Sequence, residues 1–281
     1  MEMVAASKMR RSQMAVVALR PYASKAREVL IHLAAQRGAG EEMHPLLKHR
    51  PVISRIGLVL VTSNRGLCGG YNHNILRLAD DYLEKAPAPV DLITVGRVGR
   101  NAMTRARRSI IADFEKMPDQ PALSDVTPLA RVVMDDFLNG TFDQVDVIYT
   151  DFVNTMLQVP TVRPLLPLRH EAEEEIFNAG RDEARRPLIE YVYEPGPAEL
   201  LNVVLPRFIE LQLYQMLLEA KASEHSARMV AMRAATDNAQ ELVGSLILRY
   251  NQARQAAITK EMLEIVGGAN ALAQARQRAA G

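Results

Sequence analysis

Ser63-Asn64-Arg65-Gly66-Leu67-Cys68-Gly69-Gly70 is the stretch of this 281-residue chain that comes nearest to chemistry. It follows the apolar run Arg55–Thr62 and precedes a helical pattern. That is where α/β folds place loops that bind phosphate through backbone N–H groups and a helix N-terminus. The residues nevertheless fit neither G-x-G-x-x-G nor G-x-x-x-x-G-K-[ST]. The phosphate-binding lysine is missing, and no acidic residue suited to a ribose follows at the required spacing. A tight turn that needs glycine at positive φ accounts for the stretch better.

No other residue set builds a reaction centre. The six histidines, His32, His44, His49, His73, His170 and His225, contain no i, i+4 pair and no H-E-x-x-H, so no metal site is expected. Cys68 is the single cysteine. That excludes an intrachain disulfide and a Cys-based zinc cluster and fits a reducing compartment. With only Arg65 near it in sequence, it reads as buried packing rather than a reactive thiol. Carboxylates form no obvious pair for acid–base work, and Lys8-Met9-Arg10-Arg11 reads as the solvated face of a helix. The chain is expected to carry no catalytic, metal or cofactor-binding residue.

The elements around the Gly-rich turn alternate. Arg55–Thr62 reads as a buried strand, and a helix runs from about Asn74 to Glu84. Asp91–Val95 and Ser109–Ala112 read as strands, separated by a short helix after Gly96. Ser124 is the expected N-cap of a helix ending at Leu138. Val145–Thr150 and Ile189–Tyr193 read as further strands, and Val153–Leu168 as extended and interrupted by proline. Such alternation predicts a mostly parallel, Rossmann-like sheet with covering helices. Gly38–Gly40 and Pro195–Pro197 mark its joints, and Glu171–Glu175 with Asn178-Ala179-Gly180 a solvated loop.

Two helices flank this α/β body. From about Phe208 to about Ala275 there is no proline, and strong helix formers dominate. About 68 residues at ~1.5 Å each make a rod on the order of 100 Å, far longer than a compact domain needs. Uncapped helical periodicity of that length points to a coiled coil. Its partner lies at the other end, where Val16, Leu19, Ala23, Ala26, Leu30 and Leu33 repeat at alternating steps of three and four. The register extends back through Ser12, Met9 and Ala5, and Pro21 is expected to bend the helix. Leu242, Leu246, Tyr250, Ala253, Ala257 and Ile265 give a looser stripe on the C-terminal helix. The fold expected is thus α/β plus a long α-helical antiparallel coiled coil. Residues 1–50 form the N-terminal helix and linker, 51–195 the Rossmann-like domain, and 196–281 the long C-terminal helix.

Lys and Arg number 34 against 33 Asp and Glu, a net charge of +1, which argues against a dedicated nucleic-acid binder. No run approaches the ~18 apolar residues of a membrane span, and Met1-Glu2-Met3-Val4 lacks the build of a signal peptide. A soluble chain that meets a membrane only through a partner is expected. The charge is uneven: six basic against two acidic residues in 1–30 and eight against five in 221–281 make two basic ends around an acidic body. Two readings from other classes compete at this level. A nucleotide-dependent enzyme dimerised by its helices requires the Gly-rich turn to bind phosphate. A non-rotary coiled-coil adaptor explains the helices but not the body.

Six motifs, in order from the first residue to about Ala271, carry a resemblance. They are Met1–Arg10 (MEMVAASKMR), Asn64–Gly70 (NRGLCGG), Asn154-Thr155-Met156 with Gln158–Thr161 (QVPT), Ala222–Asn238 (ASEHSARMVAMRAATDN), Tyr250–Gln255 (YNQARQ) and Ile258–Glu261 (ITKE). Together they resemble the γ-subunit family of F-type ATP synthases, whose loop usually reads D-R-G-L-C-G-G, so Asn64 is a departure. The resemblance implies a non-catalytic central shaft. Its coil stands inside a ring of α and β subunits, and its α/β domain, with ε, rests on the c-ring. It implies that rotation couples proton translocation to ATP synthesis or hydrolysis in the α/β hexamer and regulates its activity. By motif match, Arg254 and Gln255 meet a β loop, supported by Arg228, Thr259 and Glu261, with Met1 also facing a partner. Arg254 can bind a carboxylate bidentately, which lysine cannot. A single cysteine is similar to the bacterial type, which implies the cytoplasmic face of the plasma membrane. The family has about two dozen residues ahead of Met1, which here falls in mid-helix with no N-cap; a misassigned start or a trimmed chain is the expected reason.

Overall fold

The computed structural model describes residues 1–35, 44–168 and 196–279. The expected strand at Ile189–Tyr193, the joint at Gly38–Gly40 and the acidic loop at 171–180 lie outside the described residues. Contacts divide the chain into two units, Met1–Met232 and Arg233–Gly281.

The first unit is built on β1 (Ile56–Val61), whose six residues IGLVLV are all buried. An unbroken apolar run is what a strand needs when both its faces are covered. β1 is central in a five-stranded sheet with β2 (Val90–Val95), β3 (Ile110–Phe114), β4 (Gln144–Phe152) and β5 (Gln158–Leu166), in the order β3-β2-β1-β4-β5. β1 pairs parallel with β2 and β4, β2 pairs parallel with β3, and β5 returns antiparallel to β4. The sheet is mostly parallel, as expected, and the proline-interrupted stretch becomes its antiparallel edge. Pro160 and Pro164 are tolerated there because an edge strand has ladder positions that need no N–H. At the β4–β5 turn, Asn154 Oδ1 accepts from the N–H groups of Met156 and Leu157, both at 2.8 Å, which is how an asparagine side chain closes a turn.

Successive strand residues point to opposite faces. Val59, Ile93, Val147 and Tyr149 project to one face, beneath α4 (Leu123–Leu138) and the first part of α5 (Pro197–Ala279). Leu58, Leu60, Leu92 and Ile148 project to the other, beneath α2 (Tyr71–Lys85) and α3 (Arg97–Arg105). Gly96, between β2 and α3, has φ +99°, and a Cβ there would lie 2.3 Å from the Thr62 carbonyl oxygen. Only glycine lets α3 start so close to the end of β1. α1 (Glu2–Ala35) also belongs to this unit and continues through Pro21. Ala5 and Ser12 are buried and Met9, Val16 and Leu19 half-buried, so the seam runs back to residue 5 in the expected register.

The starts of α5 and α4 show how packing and capping decide where a helix begins. α5 starts at Pro197, at the expected joint, and Pro206 lies inside it, ahead of the proline-free run from about Phe208. A proline in a helix interior costs about 3 kcal/mol. Here Leu201, Leu205, Ile209 and Leu213, on one face at steps of four, are all buried against the sheet, and that packing outweighs the lost hydrogen bond. Ser124, the expected cap, is not the cap of α4. Ala122 holds the cap position, its N–H donates to Asp125 Oδ2 at 2.8 Å, and Asp125 N–H donates to Ala122 O at 3.0 Å. A carboxylate in the first turn replaces the expected hydroxyl and also suits the helix dipole.

The second unit is the continuation of α5 from Arg233. Nearly every described side chain from Arg233 to Leu272 is exposed.

Candidate partner interface

The Gly-rich turn Ser63–Gly70 leaves the carboxyl end of β1, where the sheet's strand order switches direction between β1 and β4. In open α/β sheets that crevice takes the ligand. Here the chain's own α5 fills it. Tyr71 Oη donates to Ala220 O at 3.3 Å. Ser226 Oγ donates to Thr155 O, in the β4–β5 turn, at 2.8 Å. Arg228 Nη2 donates to the carbonyl oxygens of Arg65 at 3.2 Å and Gly66 at 3.4 Å. The loop therefore turns acceptors toward a guanidinium, a polarity opposite to that of a phosphate cradle, which turns N–H groups toward an anion. A cavity of about 240 Å³ remains between loop, hairpin and helix, bounded in part by Gly69, Tyr71, Thr150, Met156 and Ala227.

Positive φ occurs at Gly69 (+56°), as the glycine content suggests, but also at Leu67 (+61°) rather than at Gly66 or Gly70. A leucine in that region costs about 1–3 kcal/mol, and 63% of its surface is exposed. Asn72 fixes the turn from the first turn of α2. Its Oδ1 accepts from Ser63 N–H at 3.2 Å, and its Nδ2 donates to Ser63 Oγ at 2.8 Å. Asn64 Oδ1 accepts from Arg97 N–H at 3.0 Å, and Asn64 Nδ2 donates to Met117 O at 3.4 Å. An aspartate could make the first bond but not the second, which gives this departure from the family loop a structural role. Cys68 is buried, and its burial pushes the thiol's pKa up although Arg228 pulls it down. It is packing, as expected, and a poor nucleophile.

Beneath this contact lies a set of charges that the sequence reading missed. Lys221 Nζ meets Glu224 Oε2 at 3.0 Å with only 5% and 4% of the two side chains exposed, and Glu224 Oε1 meets Arg228 Nη2 at 2.9 Å. The i, i+3 and i, i+4 spacing was readable; the burial was not, because it comes from elements distant in the chain. His225 Nδ1 lies 3.4 Å from Arg228 Nη1, and its buried Nε2 has no hydrogen-bond partner. Burial pulls its pKa below the ordinary histidine value, against the pull of Glu224. Lys8, expected on a solvated face, reaches Asp119 Oδ2 at 2.5 Å. That bond, with Lys221 and His225 nearby, holds the Asp119 carboxyl below the usual range despite its partial burial.

The residues named from the sequence fall in different places. Arg228 faces inward, its side chain 16% exposed. Met1 is exposed at the start of α1. Arg254, Gln255, Thr259 and Glu261 are all exposed on the second unit's helix. At 100° per residue they share less than half its circumference, with the exposed Ile258 and Met262 between them. Among the described residues no group of three or more His, Cys, Asp or Glu is placed to hold a metal, and no helix is long and apolar enough to cross a membrane. What the geometry offers is a seated helix and, on its continuation, an exposed stripe of mixed charged and apolar side chains.

A family model described as ATP synthase matches residues 1–272. The ATP synthase gamma chain of Dehalococcoides mccartyi (strain CBDB1) is 46% identical over 273 residues, covering 97% of this chain and 92% of that protein. That of Roseiflexus castenholzii is 46% identical over 279 residues, covering 98% and 92%. Among solved structures, a chain of the Tetrahymena thermophila mitochondrial ATP synthase central stalk and c-ring has a TM-score of 0.58 at 23% identity, covering 84% of this chain and 97% of that one, a likeness of fold. Matched over nearly its whole length by this model and these relatives, the chain belongs to the ATP synthase gamma chain family.

Proposed function

We propose that this gamma chain is the central rotor shaft of its ATP synthase and acts through α5. The observation that carries the reading is the division of one helix. Pro197–Ala279 is packed into the α/β body over its first part and exposes mixed apolar and charged side chains over its last. Residues 1–50, 51–195 and 196–281 work as N-terminal helix and linker, α/β body and C-terminal helix. The distal helix turns inside the ring of α and β chains, while the body, with ε, rides on the c-ring. The chain therefore meets the membrane only through partners, at the cytoplasmic face of a bacterial plasma membrane. It contributes no catalytic residue, cofactor or metal. ATP is made or hydrolysed in the partners, whose bistable loops an asymmetric shaft biases by differential contact.

Arg254 grips a carboxylate of a β loop bidentately, a charge-assisted contact that lysine does not reproduce. Gln255 adds a hydrogen bond, Thr259 and Glu261 frame the stripe, and Ile258 and Met262 supply its apolar centre. Arg228 supports the contact by fixing the helix on the Gly-rich turn, and Met1 faces a partner at the start of α1.

Co-expression with the α and β chains of the same source, followed by native mass and ATP hydrolysis, tests the reading. A complex containing one copy of this chain and hydrolysing faster than α and β alone is expected. Arg254→Ala with Gln255→Ala lowers that stimulation about tenfold, the ~1.4 kcal/mol of one lost contact, and leaves the thermal midpoint of the free chain in place. Failure of the chain to enter the complex, or to stimulate it, ends the shaft reading.

A further inference from the structure

We propose that Asp119 fastens α1 to the α/β body, a positioning residue for the shaft on whose movement the partners' chemistry depends. The inference rests on the shaft reading above.

Asp119 lies in the connection between β3 and α4, on no regular element. It is the point at which three parts of the first unit meet in charge. From α1, Lys8 Nζ reaches its Oδ2 at 2.5 Å. From α5, Lys221 and His225 both favour its anionic form. Lys221 pairs with Glu224, which also carries Arg228. Two carboxylates thus serve three permanent cations and an imidazole. Without Asp119, Lys8 loses its bond to the body, and Lys221 and Arg228 are left sharing Glu224.

Exposure argues that the pair is weak taken alone, because the Lys8 and Asp119 side chains are 35% and 44% exposed and such pairs are screened by solvent. Position argues that it matters. Ala5 and Ser12, the two buried residues among the described ones of α1, stand three before and four after Lys8 and so share its helical face. Small side chains there let α1 approach closely but grip little. The charge contact supplies lateral fixing where a seam of alanine and serine does not. Arg228 is tied to Glu224 and the loop carbonyls, and Arg10 and Arg11 are exposed elsewhere on α1.

The test uses this chain assembled with its α and β chains. In Asp119→Asn, amide exchange of α1 between Ala5 and Ser12 is expected to rise about three- to fivefold, the size of a partly exposed ion pair. Stimulated hydrolysis falls with it. Asp119→Glu stays within about twofold of the parent. Lys8→Met reproduces the effect, and the double variant is no worse than either single one, because both remove the same bond. In the full chain, the pH midpoint of the His225 ring, followed by NMR, falls in Asp119→Asn, since one of the two carboxylates that raise it is gone while Glu224 remains; an aspartate that does not face α5 leaves it in place. Unchanged exchange in an assembled Asp119→Asn complex overturns the proposal, as does full additivity with Lys8→Met. If Asp119→Asn does not assemble, Lys8→Met decides: faster exchange supports the proposal and unchanged exchange overturns it. A parent complex that fails to assemble instead counts against the shaft reading.

Discussion

The stretch of α5 from Leu201 to Arg228 and the stretch from Arg233 to Leu272 are drawn from the same residue types and are helical throughout, yet their surroundings are opposite. The first puts Leu201, Leu205, Ile209, Leu213 and Leu217 into the core and buries Lys221, Glu224 and His225 as well. In the second, Leu242, Val243, Leu246, Ile247 and Tyr250 are all more than half exposed. Propensity makes both stretches helices, but only the first has its face chosen by a sheet. The second carries apolar residues at adjacent positions, around the helix and not along one seam. A surface of that kind suits a shaft that must meet different partner faces as it turns.

The largest expected break in the comparison comes from two ion pairs of nearly equal spacing. Glu224→Gln leaves Lys221 buried without its carboxylate and unties Arg228, and is expected to cost the free chain about 3–5 kcal/mol in urea unfolding. Lys260 and Glu264, 3.9 Å apart with 79% and 68% of their side chains exposed, form the matching pair in the second stretch, and Glu264→Gln is expected to leave the midpoint where it was. Equal losses from the two variants would show that the first stretch is not seated as described.

Smaller, and a sharper test of packing, is the loss of apolar volume. Leu213→Ala opens a cavity under the sheet and is expected to cost about 3 kcal/mol. Leu246→Ala, at a side chain 52% exposed, is expected to stay within about 0.5 kcal/mol in the free chain. Its effect belongs in the complex, as slower stimulated hydrolysis. A Leu246→Ala variant as destabilised as Leu213→Ala would mean that the second stretch already has a packed neighbour within this chain.

The same contrast explains what was legible in the sequence. RIGLVLVT declared a buried strand because both faces of β1 are covered, and the α1 register was readable because a seam repeats locally. Pro206 cut short the proline-free run from which the rod was read: proline is a local signal, whereas the packing of Leu205 and Ile209 that overrides it depends on strands far away in sequence. The cap of α4 was misassigned because a hydroxyl and a first-turn carboxylate are equivalent solutions, and only geometry chooses between them. Of the interface, Arg254, Gln255, Thr259 and Glu261 were legible through family motifs. The inward turn of Arg228 and the meeting of Lys8 with Asp119 were not, because the loop carbonyls and the Asp119 carboxylate reach them only in the folded chain.

The smallest expected effect is a pH dependence confined to the first stretch, since residues 233–281 contain no histidine. Burial lowers the folded-state pKa of His225, so as the pH falls through the ordinary histidine value the unfolded chain takes up the proton first. Stability is therefore fully present above that value and is lost as the pH falls toward the lowered folded one. Glu219 works in the opposite sense: burial pushes its carboxyl up, and its contribution grows as the pH falls. For that reason the comparison is between variant and parent rather than between two pH values of one protein. In His225→Gln, which keeps a hydrogen-bonding side chain but cannot titrate, the drop in urea midpoint between pH 7 and pH 5 is expected to be shallower than in the parent. Helical signal from the second stretch should not change across that range in either protein. A parent and variant with the same slope would mean that His225 takes up its proton without leaving the seat. The cluster of Lys8, Asp119, Lys221, Glu224 and Arg228 would then tolerate a further positive charge that its present balance of cations and carboxylates does not accommodate.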